Sequence, residues 1–117
     1  MKLNEIIENE EKLLILNDKY KHLLTFSEVI RLKRYMTEVG DITNLYFELV
    51  EEYHAHVPKE GKKTDELINK IYEYNDTLLG SDVESDLLNM NEIVGFINLI
   101  ASKYSIVFPN QMETIEN

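Results

Sequence analysis

The sequence predicts an all-α, or mainly α, fold: a small bundle built on a long amphipathic helix hairpin. Three observations carry this. The 117 residues include only four Gly and two Pro, so few positions interrupt a helix. Apolar residues recur at three- and four-residue steps instead of alternating, which is the period of a helix with one face turned inward. Thr25 with Glu28, and Asn89 with Glu92, have the spacing of reciprocal N-terminal caps just ahead of apolar runs. A chain of this size buries roughly two-thirds of its unfolded surface in one core, so residues 1–109 form a single helical domain and 110–117 a flexible tail.

The first helix is placed from about Glu5 to Asp18, capped by Asn4, with Ile6, Ile7, Leu13, Leu14 and Leu16 as its buried side. Four glutamates crowd its first turns, near the positive end of the helix dipole. Residues 17–24 read as a connection. Thr25 then opens a long helix, because Val29, Leu32, Met36, Val39, Thr43, Tyr46, Val50, Tyr53 and Val57 step by three and four without a slip. Gly40 lies inside this seam, but the phase holds across it, so one helix is predicted at a local cost of about 1 kcal/mol. From 26 to 57 it would be roughly 48 Å long, more than the diameter of a compact domain this size.

Pro58 ends that helix, and Lys59 to Lys63 form a basic linker. Thr64 caps a third helix with the seam Leu67, Ile71, Tyr74 and Leu78, which Gly80 terminates. Residues 81–89 are open between a short strand and an irregular crossing with Val83 and Leu87 turned inward. Asn89 caps the last helix, whose face of Met90, Ile93, Ile97, Ile100 and Tyr104 is the most apolar in the chain and is placed at the core centre. Residues 105–108 are β-branched and aromatic enough for a short extended segment.

Composition excludes several functions. Zero Cys removes disulfides, thiolate catalysis and cysteine zinc sites. A net charge of −10 argues against direct nucleic-acid binding, which needs a basic surface. The glutamates of the first 16 residues break any signal-peptide pattern, and the longest uncharged apolar run, residues 93–102, is short of the roughly 20 that a membrane span requires. A cytoplasmic protein with no membrane contact is expected.

No motif carries catalytic chemistry. His54 and His56 are two apart and point to opposite sides of a helix, so they share a metal only if the helix has unwound before Pro58. Asp82, Glu84 and Asp86 fit the first three ligand positions of a calcium loop, but Leu87 and Ile93 replace its glycine and its bidentate glutamate. Glu48, Glu51, Glu52, Glu73 and Asp76 lie opposite apolar seams, solvated rather than tuned for acid–base work. No enzyme activity, cofactor or metal is expected.

Charge is instead segregated. Residues 19–34 carry Lys19, Lys21, His22, Arg31, Lys33 and Arg34 against the single acid Glu28, whereas 35–58 carry Glu38, Asp41, Glu48, Glu51 and Glu52 with no Lys or Arg. The long helix is therefore basic at its start and acidic at its end. Two such hairpins set antiparallel would match opposite charges, which steers association and register.

The order of elements resembles a group of small tailed-phage proteins from AT-rich bacterial hosts. The likeness runs over most of the chain: a Met-Lys-Leu opening, a short acidic helix, a capped long helix, a Lys-rich linker, and Tyr74-Asn75-Asp76-Thr77-Leu78-Leu79 leading through Val83-Glu84 into an apolar element. His54, His56 and the tail after Pro109 depart from it. The resemblance implies no catalytic residues; it implies an accessory protein of a phage or mobile element, in the cytoplasm of a bacterial host, acting by protein–protein contact.

Two readings follow. In the first, the protein is a homo-oligomer that self-associates through the long helix 26–57, with Val29, Leu32, Met36, Val39, Tyr46, Val50 and Tyr53 as interface candidates. In the second, it is an acidic inhibitor of a host nucleic-acid-handling or defence protein, mimicking phosphate through Glu73, Asp76, Asp82, Glu84, Asp86 and Glu92.

Overall fold

The computed structural model describes residues 1–56 and 65–109, so Pro58, the Lys59–Lys63 linker, the Thr64 cap and the 110–117 tail lie outside the described residues. The fold is all-α. Four α-helices are seen among the described residues, with no strand: α1 (Leu3–Ile15), α2 (Phe26–His56), α3 (Asp65–Leu79) and α4 (Met90–Tyr104).

The long helix forms as its sequence directs. Thr25 N–H donates to Glu28 Oε1 at 2.8 Å, and Glu28 N–H donates to Thr25 Oγ1 at 3.2 Å, a reciprocal cap that satisfies two otherwise free donors. α2 then runs 31 residues, about 46 Å, unbroken through Gly40. A Cβ built at Gly40 meets only a Glu10 carboxylate oxygen at 3.9 Å, so the glycine serves no close approach of backbones.

α1 starts earlier than its sequence suggests, and Asn4 does not cap it. The residue ahead of the helix is Lys2, with no side-chain cap. Leu3 N–H donates instead to Ser81 O at 2.9 Å, Val83 N–H donates to Met1 O at 2.9 Å, and Lys2 and Asp82 form an isolated antiparallel bridge. A distant segment thus meets the demand that a local cap would have met. That bridge is all the β structure in 81–89, which is otherwise an irregular crossing: Val83 is half-buried and Leu88 is buried, while Leu87 points outward.

The predicted connection at 17–24 is helical. Residues Leu16–Tyr20 form a π-helical turn and Lys21–Leu23 a 3-10 turn. The wider turn keeps Leu16 in the core as the chain prepares to reverse. Leu14 is exposed, and Leu3 takes a buried place at the other end.

α1 packs on α2, α3 and α4. It is antiparallel to α2, as Lys33 Nζ donates to Asn17 Oδ1 near one end of the pair and Thr43 Oγ1 to Glu10 Oε2 further along it. Ile6, Leu13 and Leu16 meet Leu32, Tyr35 and Val39 of α2 and Ile93, Phe96, Ile97 and Ile100 of α4 in one core. Phe96, absent from the predicted face of α4, is almost fully buried and meets the Tyr35 ring edge-on at 5.1 Å. Burying side chains of this kind contributes about 1.5–3 kcal/mol each, so this cluster dominates stability. α3 is peripheral. Its seam of Leu67, Ile71, Tyr74 and Leu78 is half-buried throughout.

α4 is capped by Asn89, whose side chain accepts from Glu92 N–H at 3.2 Å. It ends at Ser105, which takes the left-handed conformation with φ 55° and lets Ile106 N–H reach Ala101 O at 2.9 Å. Residues 106–109 then run outside any helix or strand, and of the segment predicted to be extended, 105–108, Ser105 is left-handed instead. Ile106 is buried, and Phe108 lies beneath the Lys12 ammonium.

Candidate functional site

The predicted interface seam of α2 turns toward the rest of the chain. Leu32 and Val39 are fully buried, and Val29, Met36, Tyr46, Val50 and Tyr53 are half-buried. Tyr46 O–H donates to Asn75 Oδ1, and Tyr53 stacks on Tyr74 with ring centroids 4.3 Å apart. The apolar stripe that the three- and four-residue spacing predicts is present, and α1, α3 and α4 pack against it. A second copy could not use Leu32 or Val39 without opening the fold.

Exposed along the opposite stripe of α2 are Phe26, Ile30, Lys33, Thr37, Asp41, Asn44, Glu48, Glu51, Glu52 and Ala55, with the Lys33 ammonium also reaching Asn17 Oδ1, while Leu45 and Phe47 are exposed on its flanks. The stripe positions step by three and four along the back of the helix. Phe26 is 81% exposed and Ile30 51%, one turn apart. A short distance away in the chain, Leu23 is also exposed. Lys33 follows, then polar Thr37 and Asn44, then Glu48, Glu51 and Glu52. The outer face is thus apolar and basic at its start and acidic at its end.

A four-residue polar contact holds the start of this face. Glu28, with a side chain only 12% exposed, receives Lys103 Nζ at 2.9 Å on one oxygen. On the other it receives the Tyr104 hydroxyl at 2.5 Å and the Thr25 N–H. Burial alone would raise the Glu28 carboxyl, but the bonds from Tyr104, Thr25 and Lys103 outweigh it and bring it down from 4.5 to about 2. Glu28 in turn holds the Lys103 ammonium above its usual value. The contact ties the start of α2 to the end of α4, so the two helices run antiparallel. The cap Thr25–Glu28 was legible in the sequence. Its second role was not, because Lys103 lies 75 residues away.

The acidic candidates fall together in sequence and are all on the surface. Glu73 and Asp76 are exposed on α3, Asp82, Glu84 and Asp86 on the crossing, and Glu92 in the first turn of α4. None of the six makes an ion pair among the described residues. α2 runs helically through both His54 and His56, so the unwinding that a shared metal would require does not occur. No group of three or more metal-ligand side chains gathers among the described residues. No helix among them is long and apolar enough to cross a membrane.

Comparisons of the chain with family models, with curated proteins and with solved structures return no match. The functional reading therefore rests on surface chemistry.

Proposed function

We propose that this is a small accessory protein, of the phage or mobile-element kind its element order resembles, that acts by protein–protein contact and self-associates through the outer face of α2. One observation supports this above others: a helix of about 46 Å uses its apolar seam internally and still exposes Phe26 and Ile30 beside Lys33, with Glu48, Glu51 and Glu52 on the same stripe. Set antiparallel, two outer faces bring Lys33 of one copy to Glu48 of the other, and Phe26 of one to Ala55 of the other. The two pairs are related by a two-fold axis that crosses α2 between Gly40 and Asp41, as an isologous dimer requires. Opposite charges set register and encounter rate, while the few apolar side chains supply the anchoring area.

Light scattering is expected to find a dimer at tens of micromolar. Phe26→Glu should return it to monomer with its helical spectrum intact. Lys33→Glu and Glu48→Lys should each weaken pairing, and mixing the two variants should restore it. A wild-type protein that stays monomeric at that concentration overturns the reading.

A second reading is favoured by the six exposed carboxylates from Glu73 to Glu92, none of which makes an ion pair among the described residues. In it the protein occupies a basic groove of a host nucleic-acid-handling or defence protein. Such a complex depends on charge matching, so its affinity should fall steeply with salt. Capture from host lysate that is indifferent to salt, or that brings down no nucleic-acid-handling protein, removes this reading.

A further inference from the structure

Arg31 lies on the flank of α2 that faces Phe96 of α4, and Arg34 lies one turn on, toward the outer face. Both guanidinium groups donate to one oxygen, the hydroxyl of the buried Tyr35: Arg31 at 3.1 Å and Arg34 at 3.4 Å. Aromatic rings hold both in place. The Arg31 guanidinium carbon is 4.8 Å from the Phe96 ring centre and 5.7 Å from that of Tyr35; the Arg34 carbon is 5.1 Å from the Tyr35 ring. Such stacking contributes about 0.5–1 kcal/mol per pair at partly exposed sites, but it neutralises nothing.

Two like charges are thereby held around one hydroxyl oxygen. The carboxylates near them are few. Glu28, three residues before Arg31, is committed to Thr25, Lys103 and Tyr104. Glu38 stands 3.9 Å from Arg34 Nε, at the edge of an ion pair, and both side chains are about half exposed. Glu92, one turn before Phe96 on α4, makes no ion pair with either arginine. Arg31 has no carboxylate partner among the described residues. Each guanidinium has five N–H donors in a fixed fork, and Tyr35 takes one from each.

We propose that the Arg31–Arg34 pair is an oxyanion-binding site, and that its ligand is a phosphate dianion, free or carried as a monoester. The dianion matches two adjacent guanidiniums in charge, and its several oxygens match their forks in geometry. A single carboxylate does less, as Glu38 illustrates by approaching Arg34 while leaving Arg31 unmatched. Tyr35 and Phe96 are positioning residues: they fix the planes of the two cations before any ligand arrives, so little side-chain freedom is lost on binding. Arg34 lies one turn beyond Ile30 at the edge of the outer stripe, and the arginine resonances read phosphate binding independently of the oligomeric state.

The test follows the arginine Nε–H resonances of the full chain by NMR while inorganic phosphate, O-phosphoserine or acetate is added at constant ionic strength with sodium chloride. Saturable shifts of Arg31 and Arg34 with phosphate or phosphoserine are expected; tighter binding of phosphoserine marks a carried phosphate, and tighter binding of inorganic phosphate a free one. Arg34→Gln, which removes the more exposed partner, should weaken binding about tenfold with the fold unchanged. Arg31→Lys keeps a charge near Phe96 but loses the fork, and should weaken binding several-fold. Shifts no larger than sodium chloride alone produces, acetate binding as tightly as phosphate, or an Arg34→Gln protein that binds like wild type would each overturn the proposal.

Discussion

The two halves of α2 carry one apolar phase and meet different fates. From Leu32 to Thr43 every third or fourth residue is fully buried: Leu32, Tyr35, Val39 and Thr43. Beyond Thr43 the same stripe continues through Tyr46, Val50 and Tyr53, yet these are half-buried. The first half is covered by α1 on one side and reached by α4 through Phe96 and Lys103 on the other. The second half has α3, whose own seam is only half-buried. Periodicity therefore tells which face turns inward, and the number of neighbours tells how far.

The sharpest way to break this comparison is to truncate one tyrosine in each half. Tyr35→Ala empties a fully buried site against Phe96 and leaves Arg31 and Arg34 without their acceptor, so it should cost about 3–5 kcal/mol in urea unfolding. Tyr53→Ala loses one stacked pair at a half-buried position and should cost about 1–2 kcal/mol. Equal losses would show that the second half belongs to the same cooperative core.

Next in size is Glu28→Gln, expected to cost about 1–3 kcal/mol, since it removes the charge from a network that joins the start of α2 to the end of α4. Its pH dependence has a definite sign. The Glu28 carboxyl is lower in the folded chain, about 2, than its ordinary 4.5, so its contribution is complete above the ordinary value and is lost as pH falls towards 2. Stability measured across that window should fall less steeply in Glu28→Gln than in wild type.

Gly40 sits near the junction of the two halves. Its added Cβ would meet an ordinary contact with Glu10, so Gly40→Ala should stabilise the protein by about 1 kcal/mol and raise amide protection across the junction. A destabilised variant would show that Glu10 cannot adjust without losing its bond from Thr43. The smallest effect is expected at Phe26: being 81% exposed, Phe26→Ser should change stability by less than about 0.5 kcal/mol while weakening self-association.

Legibility in the sequence tracked the range of the interaction. The Thr25–Glu28 and Asn89–Glu92 caps span three residues, and both stand in the structure as read. The unbroken α2 followed from a phase that local spacing preserves across Gly40. The start of α1 differs from the local pattern because its first N–H is satisfied by Ser81, which no local spacing reveals. Phe96 lies at the flank of the α4 stripe, and the edge-on approach of Tyr35 makes that flank interior.

By itself, then, the sequence determined that this chain is helical, where its longest helix starts, that the helix passes Gly40, and how charge is divided along it. These depend on backbone hydrogen bonds and side chains within a turn or two of each other. Tertiary structure alone decided which apolar stripe is spent inside the fold and which side chains stay outside. It also placed Glu28 with Lys103 and Tyr104, and two arginines around one tyrosine oxygen. Those outcomes depend on which helices become neighbours, which is settled by burying the whole core at once and cannot be read from any single stretch of it.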